Sequence, residues 1–131
     1  MKMDIESRKD IIKMVDCFYD KVKKDELIGF FFKDVVLVDW NAHLPKMYDF
    51  WESVILHTGD YNGNPMQVHK DLSQKHSIEK LHFERWLLLF TNTIDELFEG
   101  TNAEMARQRA LSIATVMQLK VIKSEGGMTI Y

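Results

Sequence analysis

Apolar residues recur every three or four positions along most of this chain, the spacing that places them on one face of an α-helix. The first such stripe consists of Ile11, Val15, Phe18 and Val22, with Ile12 and Tyr19 beside it. It predicts a helix that ends near Asp25. The same spacing predicts a second helix. The residues on its apolar face are Trp40, His43, Leu44, Met47, Phe50, Trp51 and Val54. Pro45 lies about a turn inside that second helix, and Gly59 and Gly63 are predicted to end it.

Two more helices are predicted in the C-terminal half, after a polar connector in which Ser77 suits an N-cap. The first of them stops at Gly100 and carries the clearest stripe, Phe83, Trp86, Leu87, Phe90, Ile94 and Leu97. The last has small residues on its apolar side, Ala106, Ala110, Ile113, Ala114 and Met117. No alternating pattern typical of strands competes. The prediction is therefore an all-α protein with four main helices, residues 1–131 forming one domain with a frayed tail at about 124–131.

The composition is that of a soluble globular domain. Apolar residues make up 46% of the 131 residues, and 17 basic against 20 acidic residues give a net charge of −3. No basic cluster indicates nucleic acid or an anionic membrane as a partner. The first residues are charged rather than apolar, and no run reaches membrane-spanning length. The prediction is a cytoplasmic protein, and the single cysteine, Cys17, excludes an intramolecular disulfide.

The histidines and the cysteine do not form a zinc motif. The histidines are His43, His57, His69, His76 and His82. They include no pair at i and i+4 and no HExxH, so a dedicated zinc site is not expected. Cys17 lies beside Phe18 in an apolar stretch, which favours a buried and inert thiol over a nucleophile.

His69 differs from the other histidines because a turn sequence, residues 61–66, comes just before it. One imidazole, an apolar slot and polar groups at its rim are what haem requires. Candidates for the slot are Phe32, Met47, Phe50, Phe83 and Trp86, and for the rim Lys46, Tyr61, Lys70 and Arg85. Stripes of this kind usually form an ordinary core, and isolated lysines usually lie on a solvated surface. These residues by themselves leave both interpretations open.

Three polar side chains, Tyr19, His43 and Trp86, lie on apolar helix faces. A buried phenol or indole normally needs a hydrogen-bond partner. If the three converge, they form a small set of donors inside an apolar cavity, which suits a diatomic ligand on haem iron. The alternative is three core residues, each with a partner of its own.

The order and spacing of several motifs resembles that of the group III truncated hemoglobins. These motifs are Phe18-Tyr19, Trp40-x-x-His43, Phe50-Trp51, Asp60-Tyr61-x-Gly63-x-Pro65 leading to His69, and Phe83-Glu84-x-Trp86-Leu87-x-Leu89-Phe90. The resemblance extends from about residue 5 to about residue 121. It implies a truncated globin fold, a two-over-two helical sandwich around haem b (iron protoporphyrin IX).

The resemblance also implies roles for individual residues. His69 would be the axial ligand of a five-coordinate iron. Tyr19 and Trp86 would donate hydrogen bonds to the iron-bound ligand, with His43 as a third polar group at the distal gate. The residues predicted to contact the cofactor are Phe32, Lys46, Met47, Phe50, Tyr61, Met66, His69, Phe83 and Trp86.

The function that this resemblance implies is the binding of O₂, NO, CO or other small ligands. Several donors around O₂ should slow its release, so chemistry on the bound ligand, as in an NO dioxygenase or a peroxidase, is expected rather than O₂ transport. Such turnover needs electrons from a separate reductase protein, because the sequence offers no flavin or reductase domain. The alternatives are an O₂- or NO-sensing module without turnover, and a helical interaction domain that has lost haem.

Overall fold

Four helices make up most of the described part of the chain. The structure, a computed structural model, describes residues 2–29, 40–57 and 80–126, with side chains up to residue 119 in the last range. The helices are α1 (Arg8–Lys24), α2 (Trp40–Leu56), α3 (Lys80–Leu97) and α4 (Thr101–Gly126). These ranges contain no strand, and the predicted all-α class is confirmed. Helix α4 includes residues 124–126, the beginning of the predicted tail. Gly59, Gly63 and Ser77 lie outside the described residues.

The helices form a closed ring of contacts. Helix α1 packs against α2 and α3, and α4 packs against α3 and α2. The pair α1 and α2 therefore lies over the pair α3 and α4, which is the predicted two-over-two sandwich.

The core lies between the two layers and follows the predicted stripes. Helix α1 buries Ile11, Met14, Val15, Phe18, Tyr19 and Val22. Helix α4 buries mainly alanines, namely Ala103, Ala106, Ala110 and Ala114, together with Met117. These small side chains let α4 approach α3 closely. Cys17, however, is partly exposed, so the expected buried thiol is wrong. The residue lies at the edge of the buried stripe, about 100° around the helix from Phe18.

Helix α2 ends at Leu56, and the residue that follows it has an unusual backbone conformation. His57, the next residue, has φ 60°, in the left-handed region that favours glycine. The helix therefore ends before Gly59, the glycine expected to end it. Because the side chain of His57 is exposed, a substitution there changes little packing and tests mainly the backbone conformation.

Replacing His57 by glycine should raise the free energy of unfolding by about 0.5–1 kcal/mol, because glycine adopts this conformation without a Cβ clash. Urea denaturation measures the change. His57→Ala is the matched control, since it removes the imidazole but keeps the Cβ, and it should not stabilise the protein. Equal effects of the two substitutions would contradict this explanation.

The N-terminal segment caps α4 from a position far away in sequence. The carboxylate of Asp4 accepts hydrogen bonds from the backbone N–H groups of Asn102 (2.9 Å), Ala103 (2.8 Å) and Ile5 (2.8 Å). Gly100, just before α4, has φ 144°, and a Cβ there would lie 2.5 Å from Cγ of Asp4. The cap therefore needs glycine at this position, and it ties residues 2–5 to the corner between α3 and α4.

The Asp4 cap should make stability depend on pH in the acid range. Burial raises the pKa of Asp4, but the hydrogen bonds from Asn102, Ala103 and Ile5 outweigh it, so the pKa lies below its ordinary 3.8. Because the pKa is lower in the folded state, the cap stabilises the protein above the unfolded-state pKa. This stabilisation is lost as the pH falls through the folded-state pKa.

Asp4→Asn leaves one acceptor oxygen where the carboxylate uses two, so it should lower the free energy of unfolding by about 1 kcal/mol at neutral pH and by less in acid. Urea unfolding at several values between about pH 2 and pH 7 measures the difference between the two proteins. A difference that stays constant down to the lowest pH would show that the Asp4 charge does not contribute.

Candidate functional site

Three polar aromatic side chains meet where α1 faces the start of α2. The ring centroid of Tyr19 lies 5.2 Å from that of His43 and 5.4 Å from that of Trp40. Trp40 and His43 are 5.6 Å apart, and all three pairs are edge-to-face. Tyr19 is 9% exposed and the Nε2 atom of His43 is buried. Two of the three predicted ligand-stabilising residues, Tyr19 and His43, are thus in contact.

Trp86, the third, reaches the same region from α3. Its ring packs edge-on against Phe18, with centroids 5.6 Å apart, and Phe18 packs 4.9 Å from Tyr19. Phe18 therefore contacts both the indole on α3 and the phenol on α1. An O–H donor on α1 thus contacts an imidazole on α2 and, through Phe18, is linked to an indole on α3.

A stack of aromatic rings supports this region. Phe90 stacks with both Trp51 (4.7 Å, interplanar angle 23°) and Trp86 (5.8 Å, 13°). Phe90 is fully buried, and Trp51 is 4% exposed. Because Trp51 belongs to α2 and the other two to α3, the stack joins the two layers and restricts the orientation of the indole of Trp86.

The first three turns of α2 leave an apolar face partly open. None of residues 40–50 is buried, and Trp51 is the first side chain of the helix that is. Leu44, Met47 and Phe50 border the core but stay partly exposed. Apolar surface in water costs roughly 25 cal/mol per Å². A flat apolar group would cover this face, so its residues fit haem. Lys46, a predicted rim residue, is exposed on the same helix, and Phe83, predicted to contact the cofactor, is 6% exposed.

Trp40 is a residue of this cluster that the sequence predictions left out of the site. It contacts both Tyr19 and His43, and the Nζ atom of Lys23 lies 4.6 Å from its ring centroid, a cation–π contact. The spacing Trp40-x-x-His43 could have identified it, because residues three apart share a helix face. Trp40 is partly exposed.

Arg85, a candidate for the rim of a haem slot, forms an ion pair within the protein. Its Nε and Nη2 atoms lie 2.7 Å from Oδ1 of Asp25, whose side chain is 3% exposed. Burial raises the pKa of Asp25, but the hydrogen bonds from Arg85, Ile28 and Leu27 outweigh it and hold the pKa below its ordinary value. The carboxylate is therefore ionised at neutral pH and binds the guanidinium.

A second polar group joins α1 to α2. The hydroxyl of Tyr48 donates a hydrogen bond to Asp16, and Arg8 pairs with Asp49 and Glu52. Burial, together with the hydrogen bond to Asp16, raises the pKa of Tyr48 to about 12. The phenol of Tyr48 therefore stays protonated at neutral pH and acts as a structural donor.

Several predicted site residues lie outside the described residues: Phe32, Tyr61, Met66, His69 and Lys70. Their roles stay predictions. In the part of the chain that the structure does describe, no three His, Cys, Asp or Glu side chains are placed to hold a metal ion. The helices described also include none long and apolar enough to cross a membrane.

Comparison with known proteins identifies close relatives in one family. The chain is 32% identical over 129 residues to the group 3 truncated hemoglobin Ctb of Campylobacter jejuni, which covers 96% of this chain and 99% of that protein. The crystal structure of a group III truncated hemoglobin from Campylobacter jejuni superposes with a TM-score of 0.80 at 31% identity. That match covers 95% of this chain and 98% of the other. No protein-family model matches the chain.

Proposed function

The chain belongs to the group 3 truncated hemoglobins, and from this premise we propose that it is a haem b protein that binds O₂, NO and similar diatomic ligands. Haem supplies an iron that coordinates the ligand and exchanges electrons, and His69 would hold that iron. The observation that carries the proposal is the contact of Tyr19 with His43, with Trp86 linked to Tyr19 through Phe18, beside the partly open apolar face of α2.

Hydrogen bonding is the main contribution of these residues. Tyr19 and Trp86 each carry one donor hydrogen, and His43 can donate through a ring nitrogen. A hydrogen bond to a charged group is worth about 1.5–3 kcal/mol. Each one therefore slows release of a ligand that has gained negative charge by roughly ten- to a hundredfold. A protein that holds O₂ so tightly is a poor carrier.

The apolar side chains of α2 contribute by excluding water. Leu44, Met47 and Phe50 line its open face, where water would otherwise compete for the donors. In a site from which water is excluded, hydrogen bonds and dipoles act more strongly on developing charge than they do in water. Met47 has an unbranched thioether side chain, which can adapt to ligands of different size.

The reaction that suits this site is redox chemistry that consumes NO or peroxide. Tyr19, His43 and Trp86 would polarise an O–O bond, which favours its cleavage or its reaction with NO. The electrons would come from a separate reductase protein in the cytoplasm. Tight binding and polarisation use the same donors, so the features that make O₂ transport inefficient favour turnover.

Optical spectra of the haem-reconstituted protein test the proposal. We expect a Soret band that shifts between the ferric, ferrous and ferrous-CO forms. Absence of haem uptake would show that the family resemblance extends to the fold only. Steady-state consumption of NO or hydrogen peroxide with a supplied electron source tests the redox part. A protein that takes up haem and O₂ but consumes neither would be a binding or sensing module.

A further inference from the structure

The start of α3 is held against α1 at two points. Trp86 packs against Phe18 at 5.6 Å, and the neighbouring Arg85 contacts Asp25, with 2.7 Å between Nη2 and Oδ1. Phe18 and Asp25, the residue that follows α1, are separated by about two helical turns. Because the contacts are separated in this way, α3 cannot turn about its own axis without disturbing at least one of them.

Asp25 is a fixed anchor rather than a mobile surface carboxylate. Its Oδ2 atom accepts hydrogen bonds from the backbone N–H groups of Leu27 (3.0 Å) and Ile28 (3.1 Å). The other oxygen, Oδ1, binds the guanidinium of Arg85 through both Nε and Nη2. The turn that holds Asp25 is itself packed closely, since a Cβ on Gly29 would lie 3.0 Å from the carbonyl oxygen of Lys23. Asp25 thus fixes α3 to the end of α1.

We propose that the Asp25–Arg85 ion pair positions Trp86, by setting the rotation of α3 and so the direction of the indole N–H. A rotation of about 10° moves an atom about 6 Å from the helix axis by about 1 Å. This displacement is larger than the distance range over which a hydrogen bond keeps its strength. Asp25 and Arg85 are positioning residues and do not contact the ligand. The effect on ligand binding rests on the proposed haem function, whereas the effect on Trp86 does not.

Asp25→Asn tests this proposal directly. The amide keeps an oxygen for the N–H groups of Leu27 and Ile28 but loses the charge that binds Arg85. We expect O₂ release from the haem-loaded protein to accelerate about three- to tenfold and the CO stretching frequency to shift, because both report on donors at the ligand. Arg85→Gln should have the same effects. The side chain of Arg85 is 40% exposed, so its replacement should not disturb the core.

The same helix offers a matched control. Arg107 contacts Oδ1 of Asp95 through Nε and Nη2, each at 2.9 Å, which is the same pairing of atoms. Asp95 belongs to α3 but is 61% exposed and lies more than two turns from Trp86. Asp95→Asn should leave the O₂ release rate and the CO frequency unchanged. Equal changes in Asp25→Asn and Asp95→Asn would overturn the proposal.

A measurement that needs no haem separates this proposal from the proposed function. The three tryptophans are replaced by fluorotryptophan, and fluorine NMR spectra of the protein are recorded without added haem. Trp→Phe variants assign the three resonances. The Trp86 resonance should move in Asp25→Asn and in Arg85→Gln but not in Asp95→Asn. An unmoved resonance in the first two overturns the proposal. A moved resonance in a protein that takes up no haem supports the positioning of Trp86 and contradicts the haem function.

Discussion

Replacing Tyr19 by phenylalanine should accelerate O₂ release from the haem-loaded protein by about ten- to a hundredfold. The substitution removes one hydroxyl and keeps the ring, which is 9% exposed and packed against His43 and Trp40. The packing is therefore preserved while one donor to the ligand is lost. Stopped-flow displacement of O₂ by CO measures the rate.

The other tyrosine that joins α1 and α2 provides the control. Tyr48→Phe also removes a phenol hydroxyl, one that donates to Asp16. It should lower the free energy of unfolding by about 1 kcal/mol and leave O₂ release unchanged. If Tyr19→Phe and Tyr48→Phe gave the same release rate, the hydroxyl of Tyr19 would not be a donor to the ligand.

Trp86 can be tested in the same way. Trp86→Phe should accelerate release by a factor similar to that of Tyr19→Phe, because it removes the indole N–H. Trp51→Phe is its matched control, since it removes an indole N–H but keeps an aromatic ring to stack on Phe90, and it should leave the release rate unchanged. Unchanged release in both Trp86→Phe and Tyr19→Phe would refute the donor mechanism.

Replacing His69 by alanine should have the largest effect on the cofactor. Loss of a group that merely supports a metal ligand costs about ten- to a hundredfold in affinity, so loss of the ligand itself should cost at least about a hundredfold. We expect the Soret band of His69→Ala to be weakened and displaced. Haem transfer from the variant to an excess of apomyoglobin measures the loss, and added imidazole should restore part of the spectrum.

The control for His69→Ala is His57→Ala, which removes an exposed imidazole at the end of α2. Its spectrum and rate of haem transfer should match those of the unaltered protein. If His69→Ala did the same, another residue would hold the iron. If the ferric spectrum of the unaltered protein were that of a low-spin, six-coordinate haem, it would point to His43 as a second ligand.

The helices could be predicted from the sequence because their signal is local. The stripe from Phe83 to Leu97 predicts α3, and Asp25 was the expected end of α1, which the structure confirms. These features depend on residues three or four positions apart, and such residues face the same side whatever the helix packs against. The end of α2 could not be predicted in this way, because His57 adopts a conformation that its residue type disfavours.

The surroundings of the candidate site could be predicted only in part. The sequence placed Tyr19, His43 and Trp86 on apolar faces, but it left open whether they meet. It offered Arg85 as one candidate for a haem rim but did not indicate the ion pair that its guanidinium forms with Asp25. A charged side chain on a helix surface can reach several partners, and the angle at which the helices cross decides which of them it contacts. Trp40 was left out although its spacing from His43 was visible in the sequence, whereas its contact with Lys23 joins two helices and depends on their packing.

By itself, the sequence determined the all-α class, the four helices, their apolar stripes and the family, since each is carried by local periodicity or by motifs in order. Tertiary structure alone decided the contact between Tyr19 and His43, the anchoring of α3 by Asp25, and the capping of α4 by Asp4. These contacts join residues far apart in the chain. Their geometry depends on the angles and distances between packed helices, which no local pattern of residues specifies.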